Sequence, residues 1–313
     1  GNYASRVLIP AFKAAGAEMH SIATSGGVNG VIHGSKSGFS EATTDTSTML
    51  SNNTINTIAI VTRHNSHARF VVEALRENKN VFVEKPLAIT LDELNHIKQI
   101  YDEKRLDGKS PKLMVGFNRR FAPQIQKMKA LLEPIKEPKS FIMTMNAGSI
   151  PADHWTQDSL IGGGRIIGEA CHFVDLMRFL ANSEIVSIQA RRMGQAEGME
   201  VKEDKAAIIL GFADGSFGTI HYLANGSTSF PKERVEVFAA GGTLQLDNFR
   251  KLTGYGWKGF KKMNLWKQDK GQKACVAAFL HSIKVGADAP ISADELFEVA
   301  EVTINIAEQL RAQ

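Results

Sequence analysis

The sequence predicts a two-domain protein with a parallel α/β domain first and an α+β domain after it. In residues 57–117, apolar strands alternate with helices, which is the pattern of right-handed βαβ crossovers and a parallel sheet. After Phe121, strand-like segments follow one another without helices between several of them, which favours an open, mainly antiparallel sheet. At 313 residues the chain is long enough for two cores, and we predict domains 1–118 and 119–313.

The first domain shows a Rossmann-type alternation whose first strand we expect to be missing. The sequence opens directly on a helical pattern, whereas a Rossmann sheet places a strand and a glycine turn there to hold nucleotide phosphates. A loop rich in Gly and Ser is predicted over 25–38. The predicted helices are 7–15, 66–78 and 91–105, and the predicted strands are 17–24, 57–62, 81–85 and 112–117.

The second domain combines short strands with three helices that would cover one face of the sheet. Asp214-Gly215 is a hairpin turn between two of the strands. The predicted strands are 140–147, 185–191, 206–212, 217–223, 234–239 and 243–247, and the predicted helices are 169–180, 271–285 and 293–312.

Composition limits the class of protein. With 43% hydrophobic and 22% charged residues, the chain is typical of a globular protein in water. A net charge of +4 is too small to predict nucleic acid or a membrane as a partner. The two cysteines are too few for a disulfide framework, and we find neither an apolar membrane span nor a signal peptide. We therefore expect a cytoplasmic protein.

The segment Val81–Leu87 is the first candidate for chemistry. Pro86 disfavours the α region for the residue before it, so Lys85 is extended at the carboxyl end of a predicted strand. Ligands of open α/β sheets bind at that end, where a lysine can donate a proton or polarise an oxygen. The alternative is a salt-bridged lysine in a turn.

Two neighbouring segments bear on a nucleotide. Ser66 can cap the next helix only, or cap it and also contact an anion or a ribose. The acid expected to bind ribose hydroxyls should lie near residue 24, where the sequence has Thr24-Ser25-Gly26-Gly27. Without a carboxylate there, both NAD and NADP remain possible cofactors.

The densest group of candidate residues follows the glycines of Gly162–Gly164. Glu169, His172 and Asp175 are spaced three residues apart on a predicted helix, and therefore occupy neighbouring parts of one face. Histidine suits acid–base catalysis near neutral pH, although a single helical histidine is often structural. A metal site is disfavoured, because no second Glu/His pair occurs elsewhere.

Residues 251–273 are rich in lysine and aromatic side chains. Such a stretch can bind single-stranded nucleic acid by stacking and charge. It can also be the edge of a sheet, where lysines discourage pairing with another chain. We favour the edge interpretation because the overall charge is unremarkable.

Taken together, four segments resemble the Gfo/Idh/MocA oxidoreductases, the family of glucose–fructose oxidoreductase and inositol dehydrogenase. Thr62–His67 is similar to the family's Thr-Pro-Asn-x-x-His loop, and Glu84-Lys85-Pro86 to its signature. Val115–Phe121 resembles its interdomain segment, and Gly162–Asp175 its glycine-rich loop and helix. The four segments occur in the family's order over nearly the whole chain.

The resemblance implies an NAD(P)-dependent dehydrogenase that acts on a hydroxyl or keto group of a sugar, cyclitol or nucleotide-sugar. It also implies a homo-oligomer, a dimer or tetramer, formed through the open sheet. His172 would take the hydroxyl proton, Lys85 would orient and polarise the oxygen, and Glu169 is a third catalytic candidate. The predicted cofactor-binding residues are Gly1, Asn2, Tyr3, Ala4, Ser25, Thr62, Arg63, His67, Glu84 and Lys85, and the predicted substrate-binding residues are Asn118, Arg119, Trp155, Arg165, His172 and Asp175.

Three departures from the family pattern leave an alternative open. Gly168 stands where the family has Asp, Arg63-His64 replaces Pro-Asn, and the first strand is absent. The opening Gly-Asn-Tyr-Ala also resembles a subgroup whose oxidoreductase module follows a zinc-type alcohol dehydrogenase module in one polypeptide. The alternative function is a binding or regulatory module that keeps the fold without the chemistry.

Overall fold

A computed structural model describes residues 2–194, 197–201 and 203–313, which divide into two compact units. The first unit contains Gly1–Ala88, Asp92–Gly116 and Gln272–Phe297, and the second contains Ile89–Leu91, Phe117–Gly271 and Glu298–Gln313. Residues 272–297 therefore belong to the first unit, although they follow most of the second unit along the chain.

The strands of the first unit pair in parallel, as their alternation with helices predicts. β1 (Ser21–Ala23) pairs with β2 (Glu41–Thr43), and β3 (Thr57–Ile60), β4 (Asn80–Val83) and β5 (Leu113–Val115) form a second sheet in that order. No described strand pairs with both sheets. The helices of this unit are α1 (Ile9–Ala14, which continues the π-helical residues Ala4–Leu8), α2 (Gly27–Ser37), α3 (Thr46–Ser51), α4 (His67–Arg76), α5 (Leu91–Leu106) and α8 (Gln272–Val285).

The loop predicted over 25–38 is wrong, because most of it is helix α2. Glycine and serine have low helix propensity, so tertiary packing decides here. A Cβ atom on Gly34 would lie 2.9 Å from a methyl carbon of Ile22 in β1. The missing side chain therefore lets the helix lie directly on the strand. The sequence reasoning also missed β2 and α3.

Aromatic packing holds the helices of the first unit on its three-stranded sheet. Phe82 in the central strand β4 is 1% exposed. Its ring meets Phe12 of α1 edge-on at a centroid distance of 5.3 Å, and Phe279 of α8 at 5.7 Å. One strand residue thus joins an early helix to a helix that is close to the end of the sequence.

The second unit is built on an eight-stranded sheet in the order β13-β12-β11-β10-β6-β9-β8-β7. All its neighbouring pairs are antiparallel except β6 and β9, which are parallel. The sequence prediction of a mainly antiparallel sheet is therefore confirmed. The strands are β6 (Ser140–Asn146), β7 (Ile185–Arg192), β8 (Lys205–Phe212), β9 (Phe217–Leu223), β10 (Glu233–Ala239), β11 (Gly242–Asp247), β12 (Lys251–Tyr255) and β13 (Lys262–Asn264).

Alternation along the strands defines a core face of this sheet. In β6, Phe141, Met143 and Met145 are buried, whereas Ile142 between them is exposed. Helices α6 (Pro123–Leu132) and α7 (Cys171–Ala181) belong to this unit, and α7 packs against β9. Helix α9 (Ala293–Arg311) begins in the first unit and ends in the second. The inward alternate residues and α7 thus share one apolar layer.

The lysine-rich stretch 251–273 contains β12 and β13, the last two strands at one end of the sheet. This position agrees with the edge interpretation. Lys251 and Lys262 are both exposed there, so the charged side chains are solvated beside the free edge.

Replacing Phe82 by Ala tests the aromatic packing of the first unit. We expect a loss of about 3–5 kcal/mol in the free energy of unfolding, because the cavity cannot close between two helices and a strand. Urea unfolding followed by circular dichroism measures it. The control Leu106→Ala removes a side chain that is 88% exposed and should change stability little. Equal losses in the two variants would contradict the packing argument.

Candidate active site

The turn after β4 places Glu84, Lys85 and Pro86 at the carboxyl end of the central parallel strand. Glu84 is buried at 8% exposure, whereas Lys85 is partly exposed. The peptide bond between Lys85 and Pro86 is cis. The lysine thus lies where the sequence reasoning expected it, at the strand end where open α/β sheets bind ligands.

His67 connects this turn to the loop after β3. Its side chain is fully buried, with Nδ1 2.7 Å from the carbonyl oxygen of Pro86 and Nε2 3.1 Å from that of Thr62. Burial lowers the pKa of this imidazole, and the two carbonyl contacts oppose that shift only in part. The two ring nitrogens thus contact the loop after β3 and the turn after β4, and this buried ring ties the turn of Lys85 to that loop.

The loop between Thr62 and His67 contains a short 3₁₀ helix over His64–Ser66. Ser66 precedes α4 but makes no side-chain capping bond to that helix, so the capping prediction is wrong. Its hydroxyl instead bonds to Thr62 Oγ1 at 2.6 Å and to the carbonyl of Arg63 at 2.8 Å. The loop is therefore closed on itself, with the Arg63 side chain exposed at its rim.

Glu84 faces the neighbouring strand end and explains a glycine there. A Cβ atom on Gly116 would lie 2.6 Å from Glu84 Oε1. The Gly116 amide donates to the carbonyl of Val83 at 2.8 Å, and the Glu84 amide donates to that of Ile60 at 2.9 Å. The three strand ends are thereby aligned around the predicted site.

The remaining predicted cofactor residues lie around the first helix and β1. The helical residues 2–8 carry no acidic side chain, so a phosphate beside them would meet no negative charge. Asn2 and Tyr3 are exposed within this helical stretch, and Ser25 is exposed after β1. Gly1 lies outside the described residues. These donors and the absence of a carboxylate at 24–26 fit a dinucleotide with or without a 2′-phosphate.

In the second unit, the segment Asn118–Phe121 is anchored by buried polar contacts. Asn118 donates from Nδ2 to the carbonyl of Lys270 at 2.7 Å. Arg119 forms two hydrogen bonds to Glu233, which Lys270 also approaches at 2.8 Å. Burial disfavours the Glu233 carboxylate, but Arg119 and Lys270 outweigh it, and the pKa of Glu233 is lowered. Asn118 and Arg119, predicted to bind substrate, are thus engaged within the protein.

Arg120 points to the helix that carries His172. Its guanidinium binds both carboxylate oxygens of Asp175, which is 1% exposed, and lies 5.0 Å from the ring of Phe179. A charge buried this deeply requires an opposite charge beside it, and Arg120 supplies that charge to Asp175. The structure therefore gives Asp175, another predicted substrate residue, a structural contact.

His172 lies in the first turn of α7, directly after π-helical residues Ile166–Ala170. Its side chain is buried at 5% exposure, and the ring of Phe117 meets it edge-on at 6.2 Å. Single π turns inside α-helices are frequent at functional sites. The imidazole is therefore held in the first turn of α7, where π-helical geometry changes to α-helical geometry.

Glu169 is the centre of a charged cluster that we call the Glu169 cluster, formed with Arg165, Tyr222 and Lys232. Lys232 Nζ lies 2.7 Å from Glu169 Oε1, and Tyr222 Oη and Arg165 lie 2.5 and 3.0 Å from Oε2. Burial opposes ionisation, but Lys232, the Tyr222 hydroxyl and Arg165 outweigh it and lower the pKa of Glu169 to about 2. A carboxylate with that pKa stays ionised at neutral pH and does not exchange protons there.

The other two predicted substrate residues differ in exposure. Arg165 is 7% exposed and donates to the carbonyls of Gly148 and Ala147 as well as to Glu169. Trp155 is partly exposed and lies beside His154, with ring centroids 5.9 Å apart. Trp155 is therefore accessible for stacking, whereas Arg165 holds the glycine-rich loop to the end of β6.

Sequence reasoning missed Lys232, Tyr222 and Glu233. No sequence motif surrounds these three residues. Tyr222 and Lys232 contact Glu169, and Glu233 contacts Arg119, and these contacts form only when the unit folds. The alternation of β9 and β10 predicts burial for Tyr222 but gives no indication of its partner.

Two larger features are absent from the part of the chain that the structure describes. None of the described helices has the length and apolar character needed to cross a bilayer. Nor do the described residues bring together three His, Cys, Asp or Glu side chains in a way that could hold a metal ion.

Two family models match the chain in succession. Residues 4–107 match the "Oxidoreductase family, NAD-binding Rossmann fold" of GFO/IDH/MocA proteins, and residues 125–245 match the GFO/IDH/MocA C-terminal domain. The chain therefore belongs to the Gfo/Idh/MocA oxidoreductase family, which confirms the resemblance inferred from the four sequence segments.

Curated relatives include cyclitol dehydrogenases. The myo-inositol 2-dehydrogenase of Thermotoga maritima is 25% identical over 221 residues, which cover 70% of this chain and 64% of the relative. The inositol 2-dehydrogenase of Rhizobium meliloti is 26% identical over 64% of this chain and 59% of its own length. The matched stretches thus span less than two thirds of either relative.

Solved structures share the fold over nearly all of this chain. A levoglucosan dehydrogenase in complex with NADH and levoglucosan has a TM-score of 0.86 at 20% identity, covering 100% of this chain and 95% of that one. An oxidoreductase domain protein from Kribbella flavida has a TM-score of 0.84 at 20% identity, covering 100% and 96%. The predicted fold class is thereby confirmed.

The Glu169 cluster predicts a specific acid sensitivity. A carboxyl whose pKa falls from 4.5 to about 2 on folding stabilises the folded state above pH 4.5, and this contribution is lost as the pH falls to 2. Glu169→Gln should therefore cost about 2–4 kcal/mol at pH 7, and the difference from the original protein should shrink between pH 4.5 and 2. Urea unfolding at several pH values measures it. A difference independent of pH would contradict the assignment.

Proposed function

We propose that the protein is an NAD(P)-dependent dehydrogenase that moves a hydride between a nicotinamide and a CH–OH group of a sugar, cyclitol or nucleotide-sugar. The observation that carries the proposal is Lys85 at the carboxyl end of β4, in a turn held by His67, within a chain of an NAD-binding oxidoreductase family. The names of the cyclitol and levoglucosan dehydrogenases among its relatives support the substrate class.

The roles of the residues follow from the atoms that must move. Oxidation removes a hydride from carbon and a proton from the hydroxyl, and C–O becomes C=O. The bound nicotinamide supplies the hydride acceptor. His172 would take the hydroxyl proton on an imidazole nitrogen, and Lys85 would donate a hydrogen bond from Nζ to a substrate oxygen. Glu169 stays ionised and would position its neighbours without taking part in the proton transfer.

Cofactor preference follows from the end of β1. No carboxylate lies at Thr24-Ser25-Gly26, and Thr24 donates its hydroxyl hydrogen to the carbonyl of Gly26 at 2.8 Å. None of these three residues therefore carries a negative charge that would repel a 2′-phosphate. We propose NAD as the cofactor because of the family description and keep NADP as the alternative. A cytoplasmic location and a homo-oligomer stay predictions.

A fluorescence titration with NADH and NADPH, starting from cofactor-free protein, is the first test. We expect saturable binding of at least one of them, with energy transfer from tryptophan to the reduced nicotinamide as the signal. Tyr3→Ala should leave the fold intact, since this side chain is 39% exposed. It should weaken binding if the helix start contacts the cofactor. If neither nucleotide bound at millimolar concentration, the proposed function would be wrong.

Lys85→Ala tests the catalytic assignment. With the better cofactor and a panel of myo-inositol, levoglucosan and D-glucose, we expect kcat/KM to fall by about 10²–10⁴, the usual contribution of a group that acts on the reacting oxygen. The dissociation constant of the cofactor is measured alongside, so that lost binding is not taken for lost catalysis. The matched control is Lys98→Ala on the exposed face of α5.

Equal activity of the Lys85→Ala and original proteins would refute the role of the lysine. His172→Asn should give a loss similar to that of Lys85→Ala. Binding of cofactor and sugar without turnover in the original protein would favour the non-catalytic alternative.

A further inference from the structure

The four members of the Glu169 cluster differ sharply in their exposure to solvent. Tyr222 is fully buried and Arg165 is 7% exposed. The side chain of Glu169 is 23% exposed, and that of Lys232 is 43% exposed. Tyr222 and Arg165 therefore lie in the core, whereas the Glu169 carboxylate and the Lys232 ammonium group reach solvent.

Lys232 is held at both ends. Its carbonyl accepts a hydrogen bond from the amide of Asn146 at 2.7 Å, which pins the main chain to the end of β6. Its ammonium is 2.7 Å from Glu169 Oε1. An ammonium group has three donors, and this contact uses one. The remaining donors are therefore held in a defined direction at a partly exposed position.

The Glu169 cluster lies close to His172 along one helix. Glu169 precedes His172 by three residues in the continuous run from Ile166 to Ala181. Three residues are less than one turn of either an α-helix or a π-helix, so Glu169 and His172 lie within one turn of each other along the axis. Because Lys232 contacts Glu169, the Glu169 cluster is fixed to the turn of this helix that also contains His172.

We propose that Lys232 and Glu169 together bind neighbouring hydroxyl groups of the carbohydrate substrate. Lys232 donates to one hydroxyl oxygen, and Glu169, as an acceptor only, receives the hydrogen of the next. This inference deepens the proposed function and rests on it. A donor and an acceptor 2.7 Å apart match a ring that carries hydroxyls on adjacent carbons, and the buried contacts of Tyr222 and Arg165 keep the acceptor in place.

The simpler interpretation is that the ion pair only ties the segment before β10 to the helix of His172. The two interpretations differ in what they predict for substrate affinity. A structural tie affects stability and the rate constant, whereas a binding pair affects KM. The two interpretations also differ for a substrate analogue that lacks one of the two hydroxyls. If the pair binds that hydroxyl, mutation of Lys232 no longer changes the KM of the analogue; if the pair is only structural, the effect of the mutation is the same for both substrates.

The test compares Lys232→Met with Lys232→Arg in steady-state kinetics, using whichever of myo-inositol, levoglucosan or D-glucose the original protein oxidises best. We expect Lys232→Met to raise KM about 10- to 100-fold, the usual worth of a hydrogen bond to a charged group, with kcat within about threefold. Lys232→Arg should restore most of the affinity. Cofactor affinity, measured by titration, should be unchanged.

The matched control is Arg234→Met, which removes an ion pair of similar exposure two residues further on. Arg234 Nε lies 2.8 Å from Asp247 Oδ1, and its side chain is 40% exposed. An unchanged KM in Lys232→Met, or an equal rise in Arg234→Met, would overturn the inference. Deoxy analogues of the substrate provide a second readout, since the loss in Lys232→Met should disappear for the analogue that lacks the bound hydroxyl.

Wild-type turnover separates the two proposals. If the original protein turns over its substrate and Lys232→Met has the same KM, the inference fails and the proposed function stands. If it does not turn over, the proposed function fails, and calorimetry with the same three sugars decides the inference. Weaker binding by Lys232→Met than by the original protein would then support it, and equal binding or none in either protein would refute it.

Discussion

Two adjacent arginines with buried carboxylate partners hold the second unit together at the segment that leads into it. Arg119 binds Glu233 at the start of β10, and Arg120 binds Asp175 in α7. Neighbouring side chains thus reach the sheet and the helix of His172 from one short stretch. Removing a charge from water is costly, so each buried arginine requires its carboxylate. The pairs fix the segment in one position, and with it the helix that the proposed chemistry uses.

Buried pairing also separates the residues that support a site from those that are open to a ligand. His67, Arg119 and Asp175 have their polar atoms directed at other parts of the chain. Lys85 and Lys232 are partly exposed. A cation at a partly exposed position can bind a substrate oxygen without breaking a buried contact. The proposed site therefore depends on a rigid support that is itself made of charged and polar residues.

Local pattern predicted the parts of the fold in which one face is buried. The alternation in β6 and the helical spacing in α9 are direct consequences of one apolar face, and both elements lie close to their predicted bounds. Helix α2 escaped prediction because its residues have low intrinsic helix propensity and contact β1 through glycine. The extended conformation of Lys85 could be predicted because proline restricts the backbone of the residue before it.

The sequence by itself determined the family, the parallel and antiparallel halves, and the positions of Lys85 and His172. These depend on short-range rules, namely hydrophobic period, proline and glycine geometry, and motif order. Only the tertiary structure decided which charges are paired. Glu169 and Lys232 are 63 residues apart in sequence and 2.7 Å apart in space. Such a contact is set by strand register and helix packing over the whole unit, and no local pattern encodes it.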